Sequence, residues 1–278
     1  MHQAALALMA EADPRYANWK YHRFDVPPEA LGEALRLLAL RGFRGVNLTV
    51  PHKVLAVGLV GGLDDGAREA GAVNTLLSDG ASWRGFNTDG YGLVASVRED
   101  LGVDLQGTGV VILGAGGAAR GAAVACLRAG CSALWVVNRS RERLDALLAH
   151  IAPVAGRVPV SGLGAGEPAA GLPGETLLIN ATSAGLRPED PPPADLLLFP
   201  GVGAVYDMIY NPPATPLLRQ AAALGLPCAN GLGMLAHQGA KALEIWTGAG
   251  AKAAAAVMRK AAAKALGYGP PAGSHLPT

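Results

Sequence analysis

Hydrophobic positions in the first hundred residues change between helical and strand spacing. Leu31, Leu35 and Leu38 lie three or four residues apart, which places them on one face of a helix. Residues 43–50, by contrast, form a short run of apolar and β-branched side chains that is typical of a strand. The same criteria predict helices over residues 4–12, 29–41 and 90–101, and strands over residues 17–26, 43–50, 73–77 and 82–87. This alternation indicates an α/β domain.

A second and more regular series begins at Gly109, where an apolar strand is followed by a glycine turn and an alanine-rich helix. The pattern then repeats, as expected of a Rossmann-like, doubly wound domain. It predicts strands over residues 109–113, 133–138, 176–180 and 204–208 and near Pro227, and helices over residues 118–129, 141–151 and 215–224. Residues 153–173 and 186–193 are rich in glycine and proline, and we expect them to be surface loops.

The end of the chain is helical, with predicted helices over residues 234–246 and 251–265 and no strand after them. Such helices must bury an apolar face against another part of the protein. Residues 267–278 contain several prolines and glycines, and we expect them to be disordered. Since 278 residues suffice for two cores, the sequence predicts an α/β protein of two domains.

Composition and charge exclude several classes of protein. No apolar run approaches the roughly 18 residues of a membrane-spanning helix, and no basic region precedes the apolar residues 4–10, so we expect a cytoplasmic protein without a secretory signal. A net charge of +1 gives no broad field for binding nucleic acid or an anionic membrane. The three cysteines lack the spacing of a disulfide framework or zinc site, so we expect them to be small buried side chains and expect no metal.

A glycine-rich turn directly follows the apolar strand that ends at Leu113, and it opens a helix. This is the context in which such a turn binds the pyrophosphate of a dinucleotide. Gly114 permits the tight turn, Gly116 lets the backbone approach the phosphates, and Ala119 allows close packing of helix on strand. The predicted cofactor-binding residues of the turn are Gly114, Ala115, Gly116, Gly117 and Ala118.

The end of the next strand indicates which dinucleotide binds. An NAD enzyme would present an acid there to the ribose 2′-hydroxyl, whereas this chain has Asn138, Arg139, Ser140 and Arg143. Two arginines and a hydroxyl can bind a 2′-phosphate by charge-assisted hydrogen bonds, which favours NADP. The alternative is that the arginines form a solvated helix start, partly neutralised by Glu142.

Six further motifs occur in one order along the chain. They are residues 47–53 (NLTVPHK), 71–75 (GAVNT), 85–90 (GFNTDG), 180–183 (NATS), 207–212 (DMIYNP) and 231–239 (GLGMLAHQG). Together they resemble the motifs of the shikimate dehydrogenase family and span nearly the whole chain. The resemblance implies an NADP-dependent enzyme that interconverts 3-dehydroshikimate and shikimate in aromatic amino acid biosynthesis.

The resemblance implies that Lys53 and Asp89 are the catalytic pair. Hydride transfer to a ketone leaves an alkoxide that needs a proton, and a lysine beside a carboxylate can supply or accept one. Without the motifs, Lys53 would be interpreted as a solvated lysine and Asp89 as a helix cap. We assign no catalytic role to His52 or His237.

Other positions follow from the same resemblance. The substrate-binding residues would be Thr49, Lys53, Asn74, Asp89, Tyr210 and Gln238, with Asn47 supporting Thr49 from the same strand face. Met208 and Gly231 would line the nicotinamide end, although Met208 could equally be core packing. Because Gln238 lies on a late helix, the substrate domain would comprise residues 1–94 and 232–278, completed by the C-terminal helices, and the NADP domain residues 95–231. The enzyme could be a monomer or a homodimer.

The sequence departs from the family at its beginning. Family members start with a strand and a glycine-rich loop that carries two substrate-binding serines, whereas this sequence starts at Met1, where the family's first helix begins. We interpret this as a late start assignment and expect unpaired strand edges in the 278-residue chain. Three rivals stay open: an NAD-dependent quinate/shikimate dehydrogenase, an NADP-binding protein without turnover, and a dehydrogenase of the methylenetetrahydrofolate type.

Overall fold

The fold was obtained as a computed structural model that describes residues 1–80, 82–169, 171–187, 189–250 and 252–268. Its helices are α1 (His2–Ala12), α2 (Leu31–Leu40), α3 (His52–Leu55), α4 (Asp65–Ala70), α5 (Asp89–Leu101), α6 (Gly117–Arg128), α7 (Arg141–Ala155), α8 (Pro216–Ala223), α9 (Leu232–Thr247) and α10 (Lys252–Ala265). Its strands are β1 (Gly45–Asn47), β2 (Gly62–Leu63), β3 (Thr75–Ser78), β4 (Trp83–Phe86), β5 (Gly109–Leu113), β6 (Ala133–Asn138), β7 (Val160–Gly164), β8 (Thr176–Asn180), β9 (Val202–Asp207) and β10 (Cys228–Asn230). The predicted α/β class with two sheets is confirmed.

The sheet of the N-terminal half is mixed and has the strand order β1-β3-β4-β2 in the described chain. β3 pairs antiparallel with both β1 and β4, while β4 and β2 are parallel. Trp83 and Gly85 point to the buried face, whereas Arg84 between them is exposed, which is the alternation of a half-buried sheet. The indole N–H of Trp83 donates to the Leu35 carbonyl at 3.0 Å, fixing α2 against this sheet.

The second sheet is parallel throughout, with the order β10-β9-β8-β5-β6-β7. The residues of β5 and β8 are all buried, because helices cover both faces of a doubly wound sheet. The carboxyl ends of β5, β6, β8 and β9 therefore open onto one edge, where ligands of such sheets bind. This is the predicted Rossmann-type domain.

The two C-terminal helices return to the first half of the chain. Leu243 and Trp246 of α9 and Met258 of α10 form one buried cluster with Leu6 of α1. The indole N–H of Trp246 also donates to the Leu76 carbonyl of β3 at 2.8 Å. The late helices thus complete the N-terminal half, as the fold prediction required.

Two element predictions were wrong. Residues 17–26 were expected to form a strand, but residues 18–27 have no regular secondary structure, because they pair with no strand in the described chain and β1 remains at the sheet edge. A cavity of about 1020 Å³ lies between this segment and β1 and is lined by Phe24, Phe43 and Trp246 among others. Conversely, the expected loop 153–173 contains the end of α7 and the whole of β7, which lies at the edge of the parallel sheet where a glycine-rich strand needs only one neighbour.

Smaller differences lie around the substrate motifs. α3, β2 and α4 were not predicted, since each is six residues or shorter and carries little periodicity. Lys53 therefore lies on a short helix and not at the end of a strand. The prediction of disorder for residues 267–278 falls outside the described residues except at Gly267 and Tyr268.

Candidate active site

Lys53 and Asp89 form an ion pair between two elements that the sequence separates by 36 residues. Lys53 Nζ donates to Asp89 Oδ2 at 2.6 Å, and Asp89 is the first residue of α5. Their side chains are 26% and 23% exposed, so the pair is accessible from solvent yet partly removed from it. A charge-assisted bond in such a setting holds a proton donor and a carboxylate in fixed relative positions.

The second oxygen of Asp89 is held by Asn74. Asn74 Nδ2 donates to Asp89 Oδ1 at 2.8 Å, and Asn74 is only 2% exposed. Gln238 comes from α9, and its Oε1 lies 3.4 Å from Asn74 Nδ2, a long contact, while its Nε2 donates to the Leu235 carbonyl. Lys53, Asn74, Asp89 and Gln238, all predicted from the sequence, are therefore brought together from four different segments.

The remaining predicted substrate residues, Thr49 and Tyr210, form no side-chain hydrogen bond with this group in the described chain. Thr49 is exposed and lines the 1020 Å³ cavity together with Asn47, while Tyr210 follows β9 with 37% of its surface exposed. Asn47 does not support Thr49 as expected, because β1 ends at Asn47 and its side chain bonds to Asn74 and Thr75. His52 Nε2 faces the Val26 carbonyl and His237 pairs with Glu99, so neither histidine contacts the Lys53–Asp89 pair.

The glycine turn has the geometry of a phosphate-binding turn. Gly114 has φ of 110°, which disfavours other residues, and its N–H donates to the Val137 carbonyl at 2.8 Å. Gly116 is the N-cap of α6, whose first residue is Gly117, and a Cβ at either glycine would meet nothing within 4 Å. The N-terminus of α6 therefore opens onto free space, where its unpaired N–H groups can receive a phosphate. Ala115 and Ala118 flank these glycines.

The end of β6 carries the residues predicted to choose the dinucleotide. Ser140 is the N-cap of α7, and its hydroxyl accepts from the Arg143 N–H at 3.3 Å. Asn138 Nδ2 donates to the Ser140 carbonyl at 2.8 Å, which fixes this turn. Arg139 and Arg143 are exposed, and within the described residues neither forms an ion pair. Their guanidinium groups are thus free to bind an anion.

A buried polar cluster lies at the ends of β8 and β9, and its residues Asn180 and Asp207 belong to two of the sequence motifs. Asp207 is fully buried and accepts from Asn180 Nδ2 at 2.9 Å, the Ile209 N–H at 3.0 Å and the Thr215 hydroxyl at 2.5 Å. Burial raises the pKa of this carboxyl, while the three donors oppose the shift. Its position after a buried parallel strand was the sequence signal that could have identified it. The cluster fixes the loop that begins at Met208.

Met208 and Gly231 lie against each other beside this cluster. A Cβ at Gly231 would come closer than 3.0 Å to the Met208 carbonyl oxygen, so only glycine fits there. The Gly231 N–H donates to the Ile209 carbonyl at 3.1 Å, and the side chain of Met208 packs on the core of the parallel sheet. The two residues thus join the β9 and β10 ends of the sheet at its ligand edge.

Other features bear on partners and metals. Among the described residues, no group of three or more His, Cys, Asp or Glu side chains is placed to hold a metal ion. No helix in the described part of the chain has both the length and the apolar character needed to span a bilayer. Cys126 and Cys131 are buried, as expected, and Cys228 is partly buried.

Comparison with known proteins gives a consistent result over nearly the whole chain. Family models match residues 4–76 (shikimate dehydrogenase substrate binding domain) and residues 231–263 (shikimate 5′-dehydrogenase C-terminal domain). The chain is 42% identical over 272 residues to the NADP(+) shikimate dehydrogenase of Symbiobacterium thermophilum, covering 96% of this chain and 89% of that protein.

Two solved structures are similar in fold and sequence. One is shikimate 5-dehydrogenase of Thermus thermophilus in complex with NADP(H) and shikimate, with 36% identity, a TM-score of 0.77 and 95% of each chain covered. The other is the ligand-free 5-ketofructose reductase of Gluconobacter sp. strain CHM43, with 33% identity, a TM-score of 0.78 and 93% and 91% of the two chains covered.

Proposed function

This chain belongs to the shikimate dehydrogenase family, and we propose that it reduces 3-dehydroshikimate to shikimate reversibly by a proton relay at Lys53 and Asp89. It is an oxidoreductase that uses NADP and serves aromatic amino acid biosynthesis. The observation that carries the proposed roles is the Lys53–Asp89 ion pair at 2.6 Å, with the second carboxylate oxygen held by Asn74.

Lys53 and Asp89 transfer the proton to and from the reacting hydroxyl. When bound, the cofactor would supply the hydride as NADPH during reduction and accept it as NADP+ during oxidation. During reduction, Lys53 donates a proton to the oxygen that gains negative charge, and Asp89 stabilises the ammonium group and holds its direction. During oxidation the same lysine receives the proton. Because both side chains are partly exposed, the proton can exchange with solvent.

The neutral side chains around the pair suit a polyhydroxylated substrate. Shikimate carries three hydroxyls, which need donors and acceptors in fixed positions and little additional charge. Asn74, Gln238, Thr49 and Tyr210 offer amide and hydroxyl groups of this kind, and we assign them to the substrate. The proximity of Asn74 and Gln238 to Asp89 supports this assignment.

The residues at the ligand edge of the parallel sheet fit NADP. Gly116 and Gly117 leave free space at the N-terminus of α6 for the pyrophosphate, and Gly114, with its positive φ, forms the tight turn before it. Arg139 and Arg143, which have no ion-pair partner in the described chain, would neutralise the 2′-phosphate together with Ser140 and Asn138. Met208 and Gly231 would line the nicotinamide end of the cofactor site. These free arginines favour NADP over NAD. They therefore argue against the alternative of an NAD-dependent quinate/shikimate dehydrogenase.

We divide the chain into a substrate domain of residues 1–94 and 232–278 and an NADP domain of residues 95–231, with the reaction in the cleft between them. Packing of α9 and α10 on α1 and β3 supports this division. Closure of the cleft would exclude water during hydride transfer. We place the enzyme in the cytoplasm as a monomer or homodimer that binds neither nucleic acid nor membrane.

Replacing Lys53 tests these roles. Lys53→Met should lower kcat for shikimate oxidation by about 100-fold or more, the usual contribution of a positioned acid or base. The Kd for NADP should stay unchanged, since in the described chain Lys53 pairs with Asp89 and forms no hydrogen bond or ion pair with the glycine turn. Lys241→Met is the matched control, because Lys241 is also partly exposed and paired with a carboxylate, that of Glu244. A kcat for Lys53→Met near the wild-type value would refute the proposed role.

A further inference from the structure

A layer of buried polar side chains lies directly behind the Lys53–Asp89 pair. Asn74, Thr75 and Thr88 are 2%, 0% and 2% exposed, although all three carry hydrogen-bonding groups. Burying such groups costs free energy unless each finds a partner. The hydrogen bonds within this layer are therefore expected to have fixed directions, and those directions can be worked out from the chemistry of each group.

The orientation of the Asn74 carboxamide is set by the backbone. The Thr88 N–H can only donate, and it lies 2.8 Å from Asn74 Oδ1, so this atom must be the amide oxygen. The amide nitrogen then faces Asp89 Oδ1 at 2.8 Å and the Thr88 hydroxyl at 2.9 Å. Asn74 therefore donates to the catalytic carboxylate, and a flipped amide would direct an oxygen at it.

The direction of the Thr75 hydroxyl follows in the same way. Asn47 Nδ2 lies 3.2 Å from the Asn74 backbone carbonyl, which can only accept, so the amide nitrogen of Asn47 also faces Thr75 Oγ1 at 3.0 Å. Thr75 must accept from Asn47, which leaves its own proton for Asn74 Oδ1, 3.0 Å away. At the outer end, the Tyr21 hydroxyl donates to Asn47 Oδ1 at 3.1 Å.

We infer that Thr75 is a positioning residue for the reaction, an inference that rests on the proposed catalytic role of Asp89. The donors run in one direction, from Tyr21 through Asn47, Thr75 and Asn74, and end on the Asp89 carboxylate. Thr75 acts only through Asn74, because its hydroxyl adds to the Thr88 N–H a second donor that holds the amide oxygen and so keeps the amide nitrogen on Asp89. The hydrogen bond donated to Asp89 Oδ1 fixes the carboxylate so that its other oxygen, Oδ2, faces Lys53 Nζ.

Loss of the Thr75 hydroxyl would affect two neighbours at once. Asn47 Nδ2 would lose its acceptor at Thr75. Asn74 Oδ1 would keep the Thr88 N–H and the Thr88 hydroxyl, 3.2 Å away, but would lose the Thr75 donor. Asn74 would keep its orientation through Thr88 but would be held by one donor fewer, so Asp89 Oδ1 would be held less firmly. The backbone of β3 would not be disturbed, because valine has nearly the shape of threonine and favours strands.

The test compares Thr75→Val with Thr75→Ser. One neutral hydrogen bond corresponds to about a 3- to 10-fold effect, so kcat for shikimate oxidation should fall by about that factor in Thr75→Val. Thr75→Ser should return kcat to within about twofold of wild type, because it restores the hydroxyl. The KM for NADP should not change in either variant. Thr176→Val is the control. Thr176 is also fully buried, but it lies in β8 of the parallel sheet and donates to the Pro173 carbonyl.

A second measurement does not depend on turnover. In nuclear magnetic resonance spectra, the Nδ2 proton signals of Asn74 should be shifted in Thr75→Val and should match wild type in Thr75→Ser. Unchanged signals and an unchanged kcat in folded Thr75→Val would overturn the inference. If wild type itself shows no turnover, the proposed function fails, whereas the amide signals still decide whether Thr75 orients Asn74.

A third variant tests the inference if Thr75→Val does not fold. Thr75→Cys keeps the size of the side chain and has only a weak S–H donor. Its kcat should be lower than that of wild type, but by only about half of the threefold to tenfold loss expected for Thr75→Val. A kcat equal to that of Thr75→Ser would contradict the inference, because donor strength would then have no effect.

Discussion

The histidine at the start of α1 predicts a pH dependence of stability that can be calculated from its surroundings. His2 is 6% exposed, its ring stacks on that of Tyr21 with centroids 4.1 Å apart, and its Nε2 has no hydrogen-bond partner in the described chain. Burial lowers the pKa of His2 from 6.5 to about 4, and the nearby amino group of Met1 contributes to this lowering. The folded chain therefore keeps His2 uncharged at a pH where the unfolded chain takes up a proton.

The sign and size of the effect follow from linkage. The contribution is present above pH 6.5 and is lost as the pH falls towards 4, because only the unfolded state gains the proton. The full difference between pKa 6.5 and about 4 corresponds to about 3 kcal/mol at 1.36 kcal/mol for each pKa unit. At about pH 5, where the unfolded state is already protonated, the expected loss is about 2 kcal/mol.

Urea unfolding of wild type and His2→Phe at about pH 7.5 and pH 5 measures this contribution. Phenylalanine keeps the aromatic stacking on Tyr21 but does not titrate, and all other groups are common to both proteins. The free energy of unfolding of wild type should fall by about 2 kcal/mol more than that of the variant between the two pH values. His22→Gln, at an exposed histidine, should follow wild type. A difference between wild type and His2→Phe that does not change with pH would refute the reasoning.

Two further substitutions test the cofactor edge of the parallel sheet. Arg139→Ala should raise the KM for NADP by about tenfold or more without changing the KM for shikimate, because a charge-assisted bond to the 2′-phosphate is lost. The control is Arg141→Ala, which should leave steady-state kinetics unchanged because Arg141 is paired with Asp145. Gly231→Ala should lower the free energy of unfolding by about 1–3 kcal/mol in urea titrations, since its Cβ would overlap the Met208 carbonyl. An unchanged KM or an unchanged unfolding midpoint would contradict the respective argument.

The buried strands were the most predictable part of the fold. β5 and β8 are covered by helices on both sides, so their sequences are continuous apolar runs that differ from every neighbouring segment. The predicted strand over residues 17–26 was wrong for the opposite reason. Its local pattern is that of a strand, yet a strand exists only where another strand pairs with it, and pairing is not encoded in the segment itself.

The motifs name residues that the fold brings together, but the hydrogen bonds that connect those residues were not predictable. Lys53, Asn74, Asp89 and Gln238 were chosen from ordered motifs, and the fold brings them together. The role proposed for Thr75 could not be predicted, because it depends on which donor faces which acceptor. That information arises only when loops distant in the sequence pack against each other.

The most direct test of the central claim is the initial rate of NADP reduction by the 278-residue chain with shikimate, measured beside quinate with NAD. Turnover that is selective for shikimate and NADP is the predicted result. No turnover with shikimate in a folded protein that binds NADP, or a rate with quinate and NAD equal to or above it, would contradict the account.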